Sequence, residues 1–436
     1  MGSELIDRSS GDVLWGMSPL DYARLWTSNR AITRLHLTDA ERAGDHRRVH
    51  ATRLLRTPAA TPGLGGFEPY RAMAARLRER VADPSAVEEF PYDWRLAVPV
   101  NAAYLAEAAA EHLRRWRRHP RGSRDARLVL VAHSMGGLVA GYFTERLGGR
   151  DLVRLTVTLG TPFYGSVKAA HLLNAGRGSP VPLPRARLRK LAVTLPGVHD
   201  LLPSYRCREE NGVVHRLTPA DVASLGGDPE LARDSLRLHE VFAEPDSSRL
   251  RPVIGVEQPT MQSMRLEAGV VVPQWHIPDG GREIDHAGDG TVYLEAALGG
   301  VHPIAALPQS HGGIARTREA LAAVTVALTN DRLTPSMGAA GPGIDVPDTV
   351  VTGELVDITI TSDRLVPPGC RVFDLETNAL VDRPRPRRHN GGWAAALRLR
   401  HTGAYRIEVK DGGFAPVTEV VLALPAEEMA LAEVAG

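Results

Sequence analysis

Lysine is almost missing from this 436-residue chain: Lys168, Lys190 and Lys410 are its only lysines, so arginine carries nearly all the positive charge. No excess of either sign exists, since 52 Lys and Arg face 51 Asp and Glu for a net charge of +1. A balanced chain excludes bulk nucleic-acid binding, which requires a basic surplus. Cysteine is scarce too. Cys207 and Cys370 lie far apart, in what read as different domains, so no disulfide framework is expected and a reducing compartment fits. No run approaches the roughly 18 apolar residues that a membrane span needs. The opening MGSELIDRSSGD has no apolar stretch of the signal-peptide kind. A cytoplasmic protein is expected, with at most peripheral contact at the inner face of a membrane. No internal repeat interrupts the chain.

What is present is an ordinary globular composition, 43% apolar and 24% charged, long enough for two or three domains. The stretch with the most chemical information is Arg127 to Phe143, RLVLVAHSMGGLVAGYF. Leu128 to Val131 form a strand-like apolar run, and Leu138, Val139, Tyr142 and Phe143 have helical spacing. Between them, Ala132-His133-Ser134-Met135-Gly136 is small-x-Ser-x-Gly, the pattern of a nucleophile elbow. A tight strand-to-helix turn lifts the serine hydroxyl above a sheet. Bulk two residues before or after the serine would obstruct the crossing backbone, which accounts for Ala132 and Gly136. The helix starting there aims free N–H groups at an oxyanion, so the Met135 amide is the expected donor.

Around the elbow, helices are expected over Tyr70 to Val81, Asn101 to His119, Glu230 to Phe242 and Thr317 to Leu328. Strands are expected at Phe90 to Arg95, Val153 to Leu159, Arg251 to Gln258 and Gly269 to Ile277. Strand, helix, strand at this spacing predicts parallel pairing in an α/β sheet. A Pro- and Gly-rich stretch with a basic run at Arg185 to Lys190 reads as a cap or lid over about 171–245. The hydrolase-like part thus covers 1–333, followed by a linker over 334–347. Strand-like alternation then returns at Thr349 to Ile360, Cys370 to Leu375, Trp393 to Leu399, Ala404 to Val409 and Val417 to Leu424. This predicts a small immunoglobulin-like β-sandwich over 348–425, before a tail at 426–436.

A serine nucleophile needs a base in reach and an acid to orient it. In α/β-hydrolases the chain order is serine, acid, histidine. Asp289, between Gly288 and Gly290, and His311, before Gly312 and Gly313, stand in that order in loops where strands should end. Asp285 is an alternative acid, and His286 and His302 are alternative bases. Asp93-Trp94-Arg95 reads as a buttress containing a buried ion pair.

Taken together, these segments resemble the lecithin:cholesterol acyltransferase family of lipid acyltransferases, phospholipases A and lipases. Four segments carry the resemblance: Pro91 to Arg95, Ala132 to Gly137, Leu159 to Ser166 and Gly288 to Val292, with His311 at the family's histidine. It covers residues 1 to about 330. It implies an α/β-hydrolase core with a cap, Ser134 as nucleophile, Asp289 and His311 as its partners, a lipid or phospholipid substrate, and no metal or other cofactor. Trp15, Trp94 and Phe163 become candidate substrate contacts. The family opens with an apolar strand running into Pro-Gly, whose loop donates one oxyanion N–H. This chain begins at Met1-Gly2-Ser3-Glu4-Leu5, inside that motif, without the strand. The second donor is therefore expected at Met1 or Gly2, or in the glycine-rich loop around Leu64. The β-sandwich carries no catalytic pattern and is a candidate surface for a protein partner.

Overall fold

The computed structural model describes residues 2–16, 32–55, 70–177, 184–244, 246, 248–279, 282–329, 342–362, 366–389, 391–411, 416–427 and 429. At the N-terminus β1 (Ser3–Asp7), β2 (Val13–Trp15) and β3 (Val49–Leu54) form an antiparallel sheet in the order β2-β1-β3. Next come β4 (Leu128–His133) and β5 (Val153–Leu159). A hairpin of β6 (Arg206–Glu210) and β7 (Val213–Arg216) precedes β8 (Leu250–Gly255). Two further hairpins follow, β9 (Ser263–Glu267) with β10 (Val270–Gln274), and β11 (Ile277–Asp279) with β12 (Arg282–Ile284). Then comes β13 (Ala305–Leu307).

The sheet that carries the elbow has the order β13-β8-β5-β4, and all its pairings are parallel. β5 reads VRLTVTL, rich in β-branched residues, and six of its seven side chains are buried, as a parallel strand covered on both faces should be. One face packs on the helix Val98–Arg118 and the elbow helix Met135–Arg146, through Ala102, Leu105, Leu138, Val139 and Phe143. The other packs on the helices Arg71–Arg80 and Arg318–Thr329, where Met73, Ala320 and Val324 meet Val157, Leu159 and Val253. The long helix has one buried stripe, Val98, Asn101, Ala102, Leu105, Ala109 and Leu113, and ends on Arg115, Arg117 and Arg118. The stripe fits the helical period, and the terminal arginines complement the helix dipole. Among the described residues β4 has a strand partner on one side only, and all six of its side chains are half-buried.

Several expectations change. Phe90 to Arg95 is not a strand. Pro91 has no N–H for a ladder, and the Asp93 carboxylate accepts from the Arg95 amide at 3.1 Å, closing a turn instead. The stretch 171–245 is not self-contained: its hairpin β6–β7 shares a sheet of order β10-β9-β6-β7 with the hairpin after β8. Finally, residues 343–345, expected in the linker, form a strand, so the C-terminal unit begins earlier than 348. Residues 330–341 of the linker and most of the tail lie outside the described residues.

That C-terminal unit comprises β14 (Gly343–Asp345), β15 (Thr349–Val351), β16 (Leu355–Thr361), β17 (Gly369–Asp374), β18 (Leu380–Asp382), β19 (Arg387–His389), β20 (Gly392–Arg398), β21 (Gly403–Lys410) and β22 (Val417–Leu424). Two sheets form, β14-β16-β20-β19 and β15-β22-β21-β17-β18. They share one core containing Ile358, Trp393, Leu397, Ile407 and Val421. β16 shows the strict in-out alternation of a half-covered strand. The single strand expected over Thr349 to Ile360 is divided into β15 and β16 by a turn at Gly353, where φ is 85°.

Candidate active site

Ser134 sits between β4 and the elbow helix with φ 54° and ψ −132°, a conformation that L-residues rarely adopt. Neighbours hold it there: its N–H donates to the Leu159 carbonyl at 2.9 Å, and its own carbonyl accepts from the Gly137 N–H at 2.9 Å. The steric demand falls one residue later than the motif logic places it. A methyl on Gly136 would make ordinary contacts, the nearest being the Tyr92 hydroxyl at 3.8 Å. One on Gly137 would collide with the Thr161 side chain, which is buried and stiff at χ1. Met135 is the first residue of the helix, so its N–H has no acceptor four residues back within the helix and is available beside the serine.

The turn after β13 brings His311 over the serine. His311 Nε2 lies 2.8 Å from Ser134 Oγ, and Nδ1 lies 2.7 Å from Asp289 Oδ2. A carboxylate only accepts, so Nδ1 carries the proton and the Nε2 lone pair faces the serine hydroxyl. Asp289 is held from both ends. Its Oδ1 accepts from the N–H groups of Thr291 at 2.9 Å and Val292 at 2.7 Å, and its carbonyl accepts from the His311 N–H at 2.7 Å. The Asp289 side chain is 1% exposed and that of His311 is 15% exposed, so the pair is shielded while the imidazole edge stays reachable. Asp285 points elsewhere, accepting from Gln262 Nε2 and the Ala287 N–H. His286 packs on Tyr293, and His302 is exposed.

The structure adds residues that the motifs did not single out. His133, the variable position of the elbow, has Nε2 at 2.9 Å from the His311 carbonyl and Nδ1 at 3.1 Å from the Tyr70 hydroxyl. Burial pushes its pKa down to about 3, so the ring is neutral. Burial also raises Tyr70 to about 12, so the phenol keeps its proton to donate. Gly160 ends β5 at φ 55°, and a side chain there would stand 2.7 Å from Asp289 Oδ2 and 3.2 Å from His311 Nδ1. The Ser166 hydroxyl donates to the Thr291 carbonyl, and Lys168 Nζ to the Gly290 carbonyl at 3.4 Å. Gly160, Ser166 and Lys168 thus pack on and hold the loop that carries Asp289.

The three aromatics named as candidate substrate contacts are buried. Trp15 is 1%, Trp94 2% and Phe163 2% exposed. Trp15 meets Trp94 edge-to-face at 5.1 Å, and Phe163 meets Phe242 at 5.7 Å. They fill the core, because a tryptophan shielded on all sides contributes more by packing than at a wet cleft. Arg95, 0% exposed, ion-pairs with Asp93 at 2.6 Å and Glu41 at 2.8 Å, as a buttress should. Met1 and Leu64 lie outside the described residues. Gly2 is described: its carbonyl accepts from the Leu55 N–H at 2.8 Å, and its α-carbon faces the Tyr70 hydroxyl, so Tyr70 stands between Gly2 and His133. Among the described residues no cluster of His, Cys, Asp and Glu is arranged to hold a metal ion, and no helix is long and apolar enough to cross a membrane.

Residues 65–241 match the family model "Lecithin:cholesterol acyltransferase". A "Lysosomal phospholipase A and acyltransferase" from Canis lupus familiaris is 28% identical over 228 residues, 48% of this chain and 52% of that protein. The chain therefore spans about half the length of this curated relative. Among solved structures, a chain of the Tle4–Tli4 complex superposes with a TM-score of 0.54 at 15% identity, covering 76% of this chain and 96% of that one. The last match shows a shared fold alone. Over residues 65–241, the stretch that contains Ser134, the chain is thus similar to the lecithin:cholesterol acyltransferase family.

Proposed function

We propose that this protein is a serine-dependent lipid acyl hydrolase of the phospholipase A or lipase type, able to act as an acyltransferase where an alcohol replaces water. The observation that carries this reading is the continuous hydrogen-bond chain Ser134–His311–Asp289 at a strained elbow. Ser134 Oγ attacks an ester carbonyl while His311 Nε2 takes its proton, and Asp289 holds the imidazole in the required tautomer. The negative charge moves to the carbonyl oxygen beside the Met135 N–H. Collapse expels the alcohol, which receives the proton from His311, and leaves an acyl-serine. Water, deprotonated by the same histidine, releases the fatty acid. A glycerophospholipid is the favoured substrate, since the canine relative is named for phospholipase A and acyltransferase activity. Residues 1–333 would form the catalytic unit, working at a lipid surface.

The C-terminal sandwich reads as immunoglobulin-like. The Tyr405 hydroxyl donates to the His401 carbonyl four residues back at 2.8 Å, in the manner of a tyrosine corner, and Trp393 is buried on β20. Purified protein should release fatty acid from phosphatidylcholine vesicles and react covalently with a fluorophosphonate probe at Ser134. Ser134→Ala should abolish both. Unchanged hydrolysis in that variant would falsify the assignment.

A further inference from the structure

We infer that the β-sandwich is a positioning element of the active site, clamping the loops that carry Asp289 and His311 through Gln258 and Ser310. This rests on the hydrolase reading above. One of its strands reaches the His311 loop, and the start of another reaches Gln258, which holds the Asp289 loop. From β22, the Thr418 carbonyl accepts from the Ser310 hydroxyl at 3.0 Å, and the Thr418 hydroxyl bonds the Arg316 guanidinium. Ser310 directly precedes His311, and Arg316 follows five residues later, so one residue of the sandwich grips the base loop on both sides. At the start of β14, the Gln258 amide donates to the Pro342 carbonyl at 3.1 Å and accepts from the Ile344 N–H at 3.4 Å. The same Gln258 donates its main-chain N–H to the Gly288 carbonyl at 3.0 Å, one residue from Asp289. Thr260 Oγ1 completes the link, donating to the Gln258 carbonyl at 2.7 Å and accepting from the Gly290 N–H at 2.9 Å.

Burial turns these contacts into a requirement. Gln258 is 2% and Ser310 4% exposed with the sandwich in place, so both groups find protein partners across the junction where water would otherwise serve. Electrostatics agrees: Glu419 on β22 faces Lys168 and Arg316, with Asp348 and Asp289 also near, and burial raises its carboxyl to about 7. Lys168 in turn holds the Gly290 carbonyl. The junction has no slack at Gly343, where a side chain would run into the Glu257 carbonyl. Loops that carry reacting groups are imprecise unless something outside them restricts their motion. Here that restriction is a second domain, and an appendage that only bound a partner would not need to hold both the His311 loop and Gln258, which holds the Asp289 loop.

The test uses the full chain. Ser310→Ala removes only the hydroxyl that reaches Thr418, Ser310→Thr keeps it, and Gly343→Leu wedges the junction. Each is assayed for kcat and KM on a short-chain nitrophenyl ester, for the rate of fluorophosphonate labelling, and for thermal melting. Ser310→Ala and Gly343→Leu should lower kcat and labelling by about tenfold, the effect of a base displaced by a fraction of an ångström. KM should stay within about twofold, and Ser310→Thr should retain most of the rate. Leu380→Ser, at an exposed position on β18, should behave as wild type. Should Gly343→Leu fail to fold, the Ser310 pair decides alone. If wild type is labelled and Ser310→Ala matches it in kcat, the clamp is overturned while the hydrolase reading stands. If wild type itself is not labelled, the hydrolase reading falls and the clamp with it.

Discussion

His133 Nε2 lies 2.9 Å from the main-chain carbonyl oxygen of His311. A carbonyl only accepts, so His133 must carry its proton on Nε2 and present Nδ1 as an acceptor to Tyr70. The residue before Ser134 thus holds the backbone of the histidine whose Nε2 faces the serine hydroxyl. The two imidazoles are 4.9 Å apart, and one is kept neutral by burial, which spares the site a second positive charge.

His133→Phe keeps a ring of similar size but loses both hydrogen bonds. We expect kcat for ester hydrolysis to fall between about tenfold and a hundredfold with KM little changed, and His133→Gln, which keeps an N–H donor, to recover part of it. Steady-state kinetics on the three proteins decide this. A His133→Phe enzyme with wild-type kcat would show that the contact is incidental.

At Gly160 a methyl group has nowhere to go. It would require a left-handed backbone in an alanine and would press on Asp289 Oδ2 and His311 Nδ1. Gly160→Ala should fold, yet lose on the order of a hundredfold or more in fluorophosphonate labelling. Labelling at the wild-type rate would contradict the geometry.

The glycines after the elbow should behave differently from each other. Gly136→Ala fits its surroundings and should melt within a few degrees of wild type, whereas Gly137→Ala meets Thr161 and should be destabilised by about 1–3 kcal/mol. Urea denaturation midpoints of the two variants compare them directly, and equal midpoints would refute the contrast.

Removal of the Arg95 side chain leaves Glu41 and Asp93 buried without it. Arg95→Met should cost about 3–5 kcal/mol, as truncating one partner of a buried ion pair does. Arg42→Ala, which breaks an exposed pair with Asp39, should leave the denaturation midpoint in place. Similar midpoints for both variants would argue against the buttress.

Asp200 is buried, and burial raises its carboxyl from 3.8 to about 7, although the Val98 N–H, donating at 2.6 Å, pulls the other way. The folded-state value lies above the unfolded one, so folding takes up a proton between them. The resulting stability is complete below about pH 4 and is lost as pH rises through 7. His133 and His171, lowered by burial to about 3 and about 4, have the opposite sense and lose stability as the solution is acidified. The difference in melting temperature between Asp200→Asn and wild type removes their share. It should be near zero at pH 4 and grow to about 4 °C or more at pH 8. A difference that does not change with pH would rule out a buried titrating carboxyl.

How much was legible along the chain depended on how local each cause was. The helix Val98–Arg118 and the strand Val153–Leu159 appear nearly where periodicity puts them, because a one-sided stripe and a β-branched run are local signals. Phe90 to Arg95 failed as a strand because one proline and one aspartate side chain outweighed its apolar content. The packing of the aromatics was hidden for another reason. Nothing near Trp15 in sequence says that Trp94 will close over it, so composition could not tell a core tryptophan from a lipid contact.

By itself, the sequence determined the elbow and the order serine, aspartate, histidine, because a small-residue turn and its flanking strand and helix are set within a few residues. Only the tertiary structure decided that His311 rather than His286 or His302 meets the serine, and that His133 and Tyr70 brace it. It alone placed Thr418 of the C-terminal unit against Ser310 and Arg316. Those contacts join groups far apart along the chain, with Ser310 and Thr418 separated by 108 positions. No short-range pattern encodes them, because they exist only once two cores have formed and left buried polar groups to be satisfied across the junction.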